Sequence, residues 1–288
     1  MTGPERAFAK LNLCLDVTEK LPDGYHAVRG IMQSIDFGDD VWLEAGGESW
    51  QVQSGLRYLP TGESNLAARA ALLYRSLQGE EPGGGTILLK KRIPVCGGFG
   101  GGSSDAAAVL RLLDRDHPRP LGLDRLEKES LSLGADVPFC IRGGTALAEG
   151  KGEVLTPLPP CVGWEAVICR PDFLCSTPEL FRAVDKLKMR IRPDVAGMEK
   201  AVREGDLQGV ARRLFNVFEE VLSRKNSDTV WEIKDLLLDA GALGAVMTGT
   251  GSGVFGLFPD ARSADEACHR LREEGYTCYR AKTTGPLL

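Results

Sequence analysis

Three histidines serve 288 residues, and none of the eight cysteines forms a Cys-x-x-Cys pair. The spacings that build a zinc site are therefore missing. Positive charge is not in excess: 35 Lys and Arg stand against 40 Asp and Glu, a net charge of −5, so no global basic field points to nucleic acid. Long apolar runs are absent too. The least charged window, 241–258, is rich in glycine and threonine and does not read as a membrane span. Glu5 and Arg6 lead into a strand-like alternation where a secretory signal would carry its apolar core. No internal repeat or low-complexity tract is found. The expectation is a reduced, soluble, cytoplasmic protein with no nucleic-acid or membrane partner. Its hydrophobic content of 43% and charged content of 26% suit that class. Cys14, Cys140 and Cys169 lie in apolar runs and read as small buried hydrophobes, while His117 and His269 read as surface residues.

What the chain does have is glycine, 35 of 288 residues or about 12% against a usual ~7%. Five of them fall within six positions of one segment, Pro94, Val95, Cys96, Gly97, Gly98, Phe99, Gly100, Gly101, Gly102, Ser103 and Ser104. Glycine buries no side chain and loses the most entropy on ordering, so packing alone does not account for such a run. It offers bare backbone whose N–H groups can converge on a ligand. Ser103, Ser104 and Asp105 are N-cap residue types before an Ala/Val/Leu run, which predicts a helix over 104–113. Its positive end would face the same space as the loop, an arrangement that favours phosphate. The segment is not a P-loop, since no Lys follows in GxxxxGK[ST] register. Nor is it a dinucleotide fingerprint, since Ser103 stands where the last Gly belongs.

The rest of the chain alternates strand and helix patterns without regular βα spacing, which predicts an α+β fold in two domains, 1–160 and 161–288. The junction is the proline cluster Thr156-Pro-Leu-Pro-Pro160. Strands are expected at 7–17, 27–35, 40–44, 50–53, 87–90, 165–169, 244–248, 253–258 and 276–281. The turn signal Pro22-Asp23-Gly24 separates the first two. Helices are expected at 65–77, at 126–133 ending on Gly134, from Thr177-Pro178 onward as N-cap and N1, at 228–239 and at 263–274. Leu207, Val210, Leu214, Val217, Phe218 and Val221 read as one face of a long helix.

The pattern Pro-x-x-x-Gly-x-Gly-Gly-Gly-Ser-Ser-x-Ala-Ala resembles the phosphate loop of the galactokinase, homoserine kinase, mevalonate kinase and phosphomevalonate kinase (GHMP kinase) superfamily. Met247-Thr-Gly-Thr-Gly-Ser-Gly253, between two apolar strands, resembles that superfamily's third motif. Phe8-Ala-Lys-Leu-Asn-Leu-Cys-Leu15, Pro22-Asp-Gly-Tyr-His26 and Gly134-Ala-Asp-Val-Pro-Phe139 are similar to signatures of one family within it, the 4-diphosphocytidyl-2-C-methyl-D-erythritol kinases of the non-mevalonate isoprenoid pathway. The likeness runs in order from residue 7 to about 258. Cys96, Gly98 and Phe99 depart from the commoner residues of the loop.

This resemblance implies a ribosomal-protein-S5-domain-2-like N-terminal domain and a ferredoxin-like C-terminal one. It implies ATP as phosphoryl donor with Mg²⁺, whose ligands stay open, bound across Pro94–Ser104. Phosphoryl transfer to an alcohol needs charge neutralisation, in-line positioning and a carboxylate to take the hydroxyl proton. The resemblance gives that last part to Asp136 and pairs it with Lys10. By itself Lys10, on the polar face of a strand with Asn12 ~7 Å along, would read as a solvated edge residue. The resemblance also implies that Tyr25, His26 and Phe181 hold the cytosine, that Asn12 and Thr177 contact the methylerythritol portion, and that the protein is a monomer or weak homodimer. Two rival readings are a GHMP kinase of the homoserine or mevalonate type and a non-catalytic nucleotide-binding regulator. Tyr25, His26 and Phe181 argue against the first, whose substrates have no base to stack, and the retention of both Lys10 and Asp136 argues against the second.

Overall fold

The computed structural model describes residues 1–187 and 191–287. Two long antiparallel strands, β1 (Thr2–Lys20) and β2 (His26–Ala45), meet at the Pro22–Gly24 turn. The alternation expected over 7–17 is present, but both faces of it are buried. Ala9, Leu11 and Leu13 pack toward Ile168, Met198 and Phe255, and each buried leucine contributes about 1.5–3 kcal/mol. The strands expected at 27–35 and 40–44 are one element, because β2 holds β1 along most of its length while its two halves take different second partners.

Next come β3 (Trp50–Ser54), α1 (Leu66–Gln78), β4 (Gly85–Lys90), α2 (Gly101–Asp116), α3 (Leu123–Ser130), α4 (Val137–Arg142), β5 (Thr145–Glu149) and β6 (Val154–Pro157). The Asn65 side chain accepts from Ala67 N and starts α1. Helices α1 and α2 cover one face of the sheet with small residues, Ala67, Ala70, Ala71, Ala106, Ala107 and Ala108, which let them approach it closely. The helix after the glycine loop begins three residues earlier than expected. Gly100, at φ +75°, is its cap, and Ser104 and Asp105 lie buried within its first turns instead of capping it. Gly134 is not left-handed and does not end the 126–133 helix; α3 stops at Ser130, and α4 is an additional helix that periodicity did not signal.

The remaining elements are β7 (Glu165–Arg170), α5 (Thr177–Lys186), α6 (Val195–Glu204), α7 (Leu207–Ala211), β8 (Phe215–Asn216), a 3₁₀ turn (Val217–Val221), α8 (Arg224–Asp239), β9 (Gly244–Met247), β10 (Val254–Phe258), α9 (Ala261–Glu273) and β11 (Thr277–Lys282). Ser176 takes the N-cap position of α5 without a side-chain capping bond, which shifts Thr177 to the first helical position. The long helix expected over 207–221 is broken. At Phe215–Asn216 the chain turns extended to pair with Cys14–Leu15, and the 3₁₀ turn then buries Val217 and Phe218 side by side. Tertiary pairing overrides the helical spacing there.

One sheet runs β3-β4-β2-β1-β8, with β5 on β2 and β6 on β5; the other is antiparallel and runs β11-β7-β10-β9. The second sheet with its helices follows the β-α-β-β-α-β succession of a ferredoxin-like fold. Among the described residues no helix is long and apolar enough to cross a membrane.

Candidate active site

The register of β1 on β2 shifts between Phe8 and Lys10 and again between Asn12 and Cys14. Such irregularities re-aim side chains. Between them Lys10 N bonds to Phe99 O of the glycine loop at 3.0 Å, so the loop is fastened directly to the strand that carries Lys10. From the other side Gly253 N donates to Gly97 O at 3.0 Å, and Gly98 (φ +76°) lies so close to Thr248 that a Cβ would meet its carbonyl oxygen at 2.2 Å. The two glycine segments are thus packed on each other. At Gly98 and Gly100 a left-handed backbone and close approach demand glycine. A Cβ on Gly101 would press on Ile93 and Lys91, whereas at Gly102 the nearest atom is 3.6 Å away.

The cleft beside the loop has a volume near 640 Å³ and draws its lining from both halves of the chain. Helix α2 points its first turn into it, and the N–H groups of Gly101, Gly102 and Ser103 are those that helical bonding leaves over. Pro94 to Ser103 all line the cleft. Ser104 does not: its Oγ donates to Phe8 O at 2.6 Å and ties the helix to β1.

Lys10 is 3% exposed, not a solvated edge residue. Its Nζ donates to Asn12 Oδ1 at 2.6 Å and lies 3.6 Å from Asp136 Oδ2. Asp136 immediately precedes α4, yet its side chain makes no capping bond, so the carboxylate is free to face the cleft. Asn12 Oδ1 also accepts from Gly249 N at 3.0 Å, and Asn12 N donates to Thr248 Oγ1 at 3.0 Å. Asn12 therefore locks the ammonium of Lys10 to the second glycine segment. A Cβ on Gly100 or Gly249 would crowd the Lys10 side chain, which gives these glycines a further reason to be there.

At the far end His26 stacks on Phe181 with ring centroids 4.8 Å apart and planes 24° from parallel. Phe181 in turn meets the edge of Phe218 at 4.9 Å. His26 Nε2 lies 2.7 Å from Asp185 Oδ1, and Lys20 holds the other oxygen at 2.8 Å. These bonds, Lys20's first, keep the Asp185 carboxyl below its ordinary range. Tyr25 stands apart, 64% exposed, with Lys151 Nζ 4.3 Å above its ring. The structure thus brings His26 and Phe181 into direct contact and leaves Tyr25 exposed; Phe181 lines the cleft, whereas Tyr25 and His26 are not among its lining residues. Thr177 Oγ1 meets Thr250 Oγ1 at 2.8 Å, joining α5 to the second glycine segment.

Sequence reasoning missed two groups. Lys91 is buried beneath the loop with Asp39 Oδ2 and Asp105 Oδ2 each 2.5 Å from its Nζ. Burial works against the Lys91 charge, but Asp105 and Asp39 more than offset this and raise its pKa. Burial pushes Asp105 up to about 7, with Lys91 pulling the other way and Asp39 adding to the rise. The signal was a Lys-Lys-Arg run interrupting an apolar strand. Asn216, hidden in the supposed long helix, donates to Met247 O and Gly249 O at 2.8 Å each and shapes the second glycine segment. His117 is half-buried at the surface, its ring packed edge-on against Tyr74 and bonded to Glu80 at 3.1 Å. His269 is exposed, and Cys14, Cys140 and Cys169 are buried.

A glycine loop opening a helix, braced by a second glycine segment and flanked by a buried lysine that faces a cleft-exposed aspartate, marks a phosphoryl-transfer site of the GHMP type. The family model for the GHMP kinases N terminal domain matches residues 65–144, and that for GHMP kinases C terminal matches 198–277. The 4-diphosphocytidyl-2-C-methyl-D-erythritol kinase of Pelotomaculum thermopropionicum is 42% identical over 288 residues, 98% of each chain. That of Clostridium perfringens is 39% identical over 268 residues, 93% of this chain and 92% of its own. A crystal structure of 4-(cytidine 5'-diphospho)-2C-methyl-D-erythritol kinase superposes with a TM-score of 0.81 at 33% identity, covering 98% of this chain and 100% of the other. The chain belongs to the 4-diphosphocytidyl-2-C-methyl-D-erythritol kinase family, and it is a kinase that uses ATP.

Proposed function

We propose that this protein transfers the γ-phosphoryl group of ATP to the 2-hydroxyl of 4-diphosphocytidyl-2-C-methyl-D-erythritol, a step in the non-mevalonate route to isoprenoid precursors. The observation that carries this reading is the Lys10–Asp136 pair, 3.6 Å apart at the edge of the phosphate loop. Asp136 takes the hydroxyl proton as the bond to phosphorus forms. Lys10, held by Asn12, faces the Asp136 carboxylate and balances charge building on the transferring group. The loop's backbone and the α2 N-terminus hold the triphosphate. The cradle fits that group, since Gly100, Gly101 and Gly102 line the cleft with bare backbone at the start of α2.

Mg²⁺ would enter with the nucleotide and supply charge neutralisation there, with most of its ligands coming from phosphate oxygens and water. Among the described residues no group of three or more His, Cys, Asp or Glu is arranged to hold a metal. At the other end the His26–Phe181 stack and Tyr25 offer ring faces for the cytosine, and Thr177 lies where the methylerythritol portion passes. We take the protein as a cytoplasmic monomer or weak homodimer, with its two domains dividing at 160/161.

The test is ADP release from a panel of acceptors: the cytidyl compound, mevalonate and homoserine. Turnover with the cytidyl compound alone supports the reading; preference for either other acceptor overturns it.

A further inference from the structure

Among the described residues three cations line the cleft: Lys10, Lys91 and Lys151. Two are committed. Lys10 is buried against Asn12 and Asp136, and Lys91 is buried between two carboxylates. Lys151 is different. It sits in the connection between β5 and β6, whose backbone is fixed where Val28 N donates to Gly150 O at 2.7 Å. Its ammonium lies over the Tyr25 ring and 2.5 Å from Asp23 Oδ2, with the two side chains 34% and 51% exposed. An exposed pair of this kind is weak and screened by salt, so it exchanges readily for a better anion. Asp23 also keeps the Lys151 ammonium protonated by raising its pKa.

Position adds to charge. The neighbouring Gly152 approaches Ala135, the residue before Asp136; a Cβ on it would lie 3.8 Å from the Ala135 Cβ. Lys151 therefore stands on the wall between Asp136, where the acceptor hydroxyl would react, and Tyr25, at the base end. A substrate whose hydroxyl and base occupy those ends must lay its diphosphate along that stretch.

We propose that Lys151 is the cation that holds the diphosphate of the cytidyl substrate, leaving Asp23 to do so. The inference rests on the cytidyl reading above. A diphosphate is a stronger partner than Asp23, since it carries more charge and more acceptor oxygens, and the resulting hydrogen bonds are charge-assisted. Tyr25, relieved of the ammonium over its ring, is then free to turn its face to the base.

The experiment is calorimetric titration of the full chain with cytidine and with cytidine 5′-diphosphate, the nucleotide loop being filled by a non-hydrolysable ATP analogue. The wild type should prefer the diphosphate. Lys151→Met should lose about ten- to a hundredfold of the diphosphate affinity and keep that for cytidine, and Lys151→Arg should restore most of it. In turnover the same Met variant should raise KM for the cytidyl substrate and leave kcat and KM for ATP unchanged. An unchanged diphosphate affinity in Lys151→Met, or equal losses for both ligands, overturns the role of Lys151 while the cytidyl reading stands. A wild type that binds neither ligand overturns the cytidyl reading and this inference with it.

Discussion

The two ends of the cleft are built differently. At the phosphate end the lysines are buried and bonded, Lys10 with Asn12 and Lys91 between Asp39 and Asp105, and the two glycine segments are hydrogen-bonded to each other. At the base end the charges are exposed and paired across turns, as in Lys151–Asp23 and Lys20–Asp185, and Tyr25 stands in solvent. The contrast follows from the chemistry. Stabilising a transition state needs donors already aimed where charge develops, because reorganising them during reaction costs the energy they would supply. Recognising a base and its diphosphate needs only that ring faces and a cation converge once the ligand is present.

Substitutions at the two ends should therefore fail in different ways. The largest effect is expected at Asp136. Asp136→Asn should lower kcat by at least ~10²-fold, the scale of removing a general base, with affinities for ATP and substrate nearly unchanged by calorimetry. Near-normal turnover would leave positioning alone as the source of catalysis. Lys91→Ala should instead damage the fold. It leaves Asp39 and Asp105 facing each other in the interior without their cation, and breaking a buried pair costs about 3–5 kcal/mol. Urea denaturation should show that loss, and an unchanged midpoint would mean the cluster contributes no stability.

At the base end, Phe181→Ala and Tyr25→Ala should each raise KM for the cytidyl substrate about ten- to a hundredfold while sparing KM for ATP, since stacking contributes roughly 1–3 kcal/mol per base. Phe181 should matter to folding as well, because it packs on His26 and Phe218. Tyr25 should not. A raised KM for ATP in either variant would erase the distinction between the ends.

A separate effect, read in stability and not in turnover, is a pH dependence. Asp105 keeps its proton in the native state up to about pH 7, while an unfolded carboxyl releases it near 3.8. Its contribution to stability is thus fully present below the unfolded value and is lost as pH rises through about 7. The difference in unfolding free energy between wild type and Asp105→Asn should shift against the wild type from pH 4 to 7. A difference that stays flat would mean Asp105 is ionised in the native protein at acid pH.

The same contrast decides what the sequence could reveal. The 7–17 alternation, the helix over 65–77 and the 94–104 loop were legible because local propensity and local chemistry dictate them. The loop's glycines read as bare backbone offered to a ligand, but two of them answer to Thr248 and Lys10, partners that no local window contains. Lys91 with Asp39 and Asp105, and Asn216 with the 247–249 backbone, exist only through long-range packing. So does the break in the 207–221 pattern, which a helix period fits but the pairing of β8 with β1 forbids. At the base end Tyr25, His26 and Phe181 came from resemblance, and the direct His26–Phe181 stack had no signal in the chain.

Steady-state kinetics with the full substrate and with a truncated one lacking the cytidyl group, on the wild type and on the Tyr25→Ala/Phe181→Ala double variant, test the division of labour most directly. The account predicts that truncation is severely harmful to the wild type and matters much less to the double variant, because the groups that read the base are already gone. A wild type that phosphorylates the truncated substrate as well as the full one would contradict it, leaving the phosphate end intact and the base end without a function.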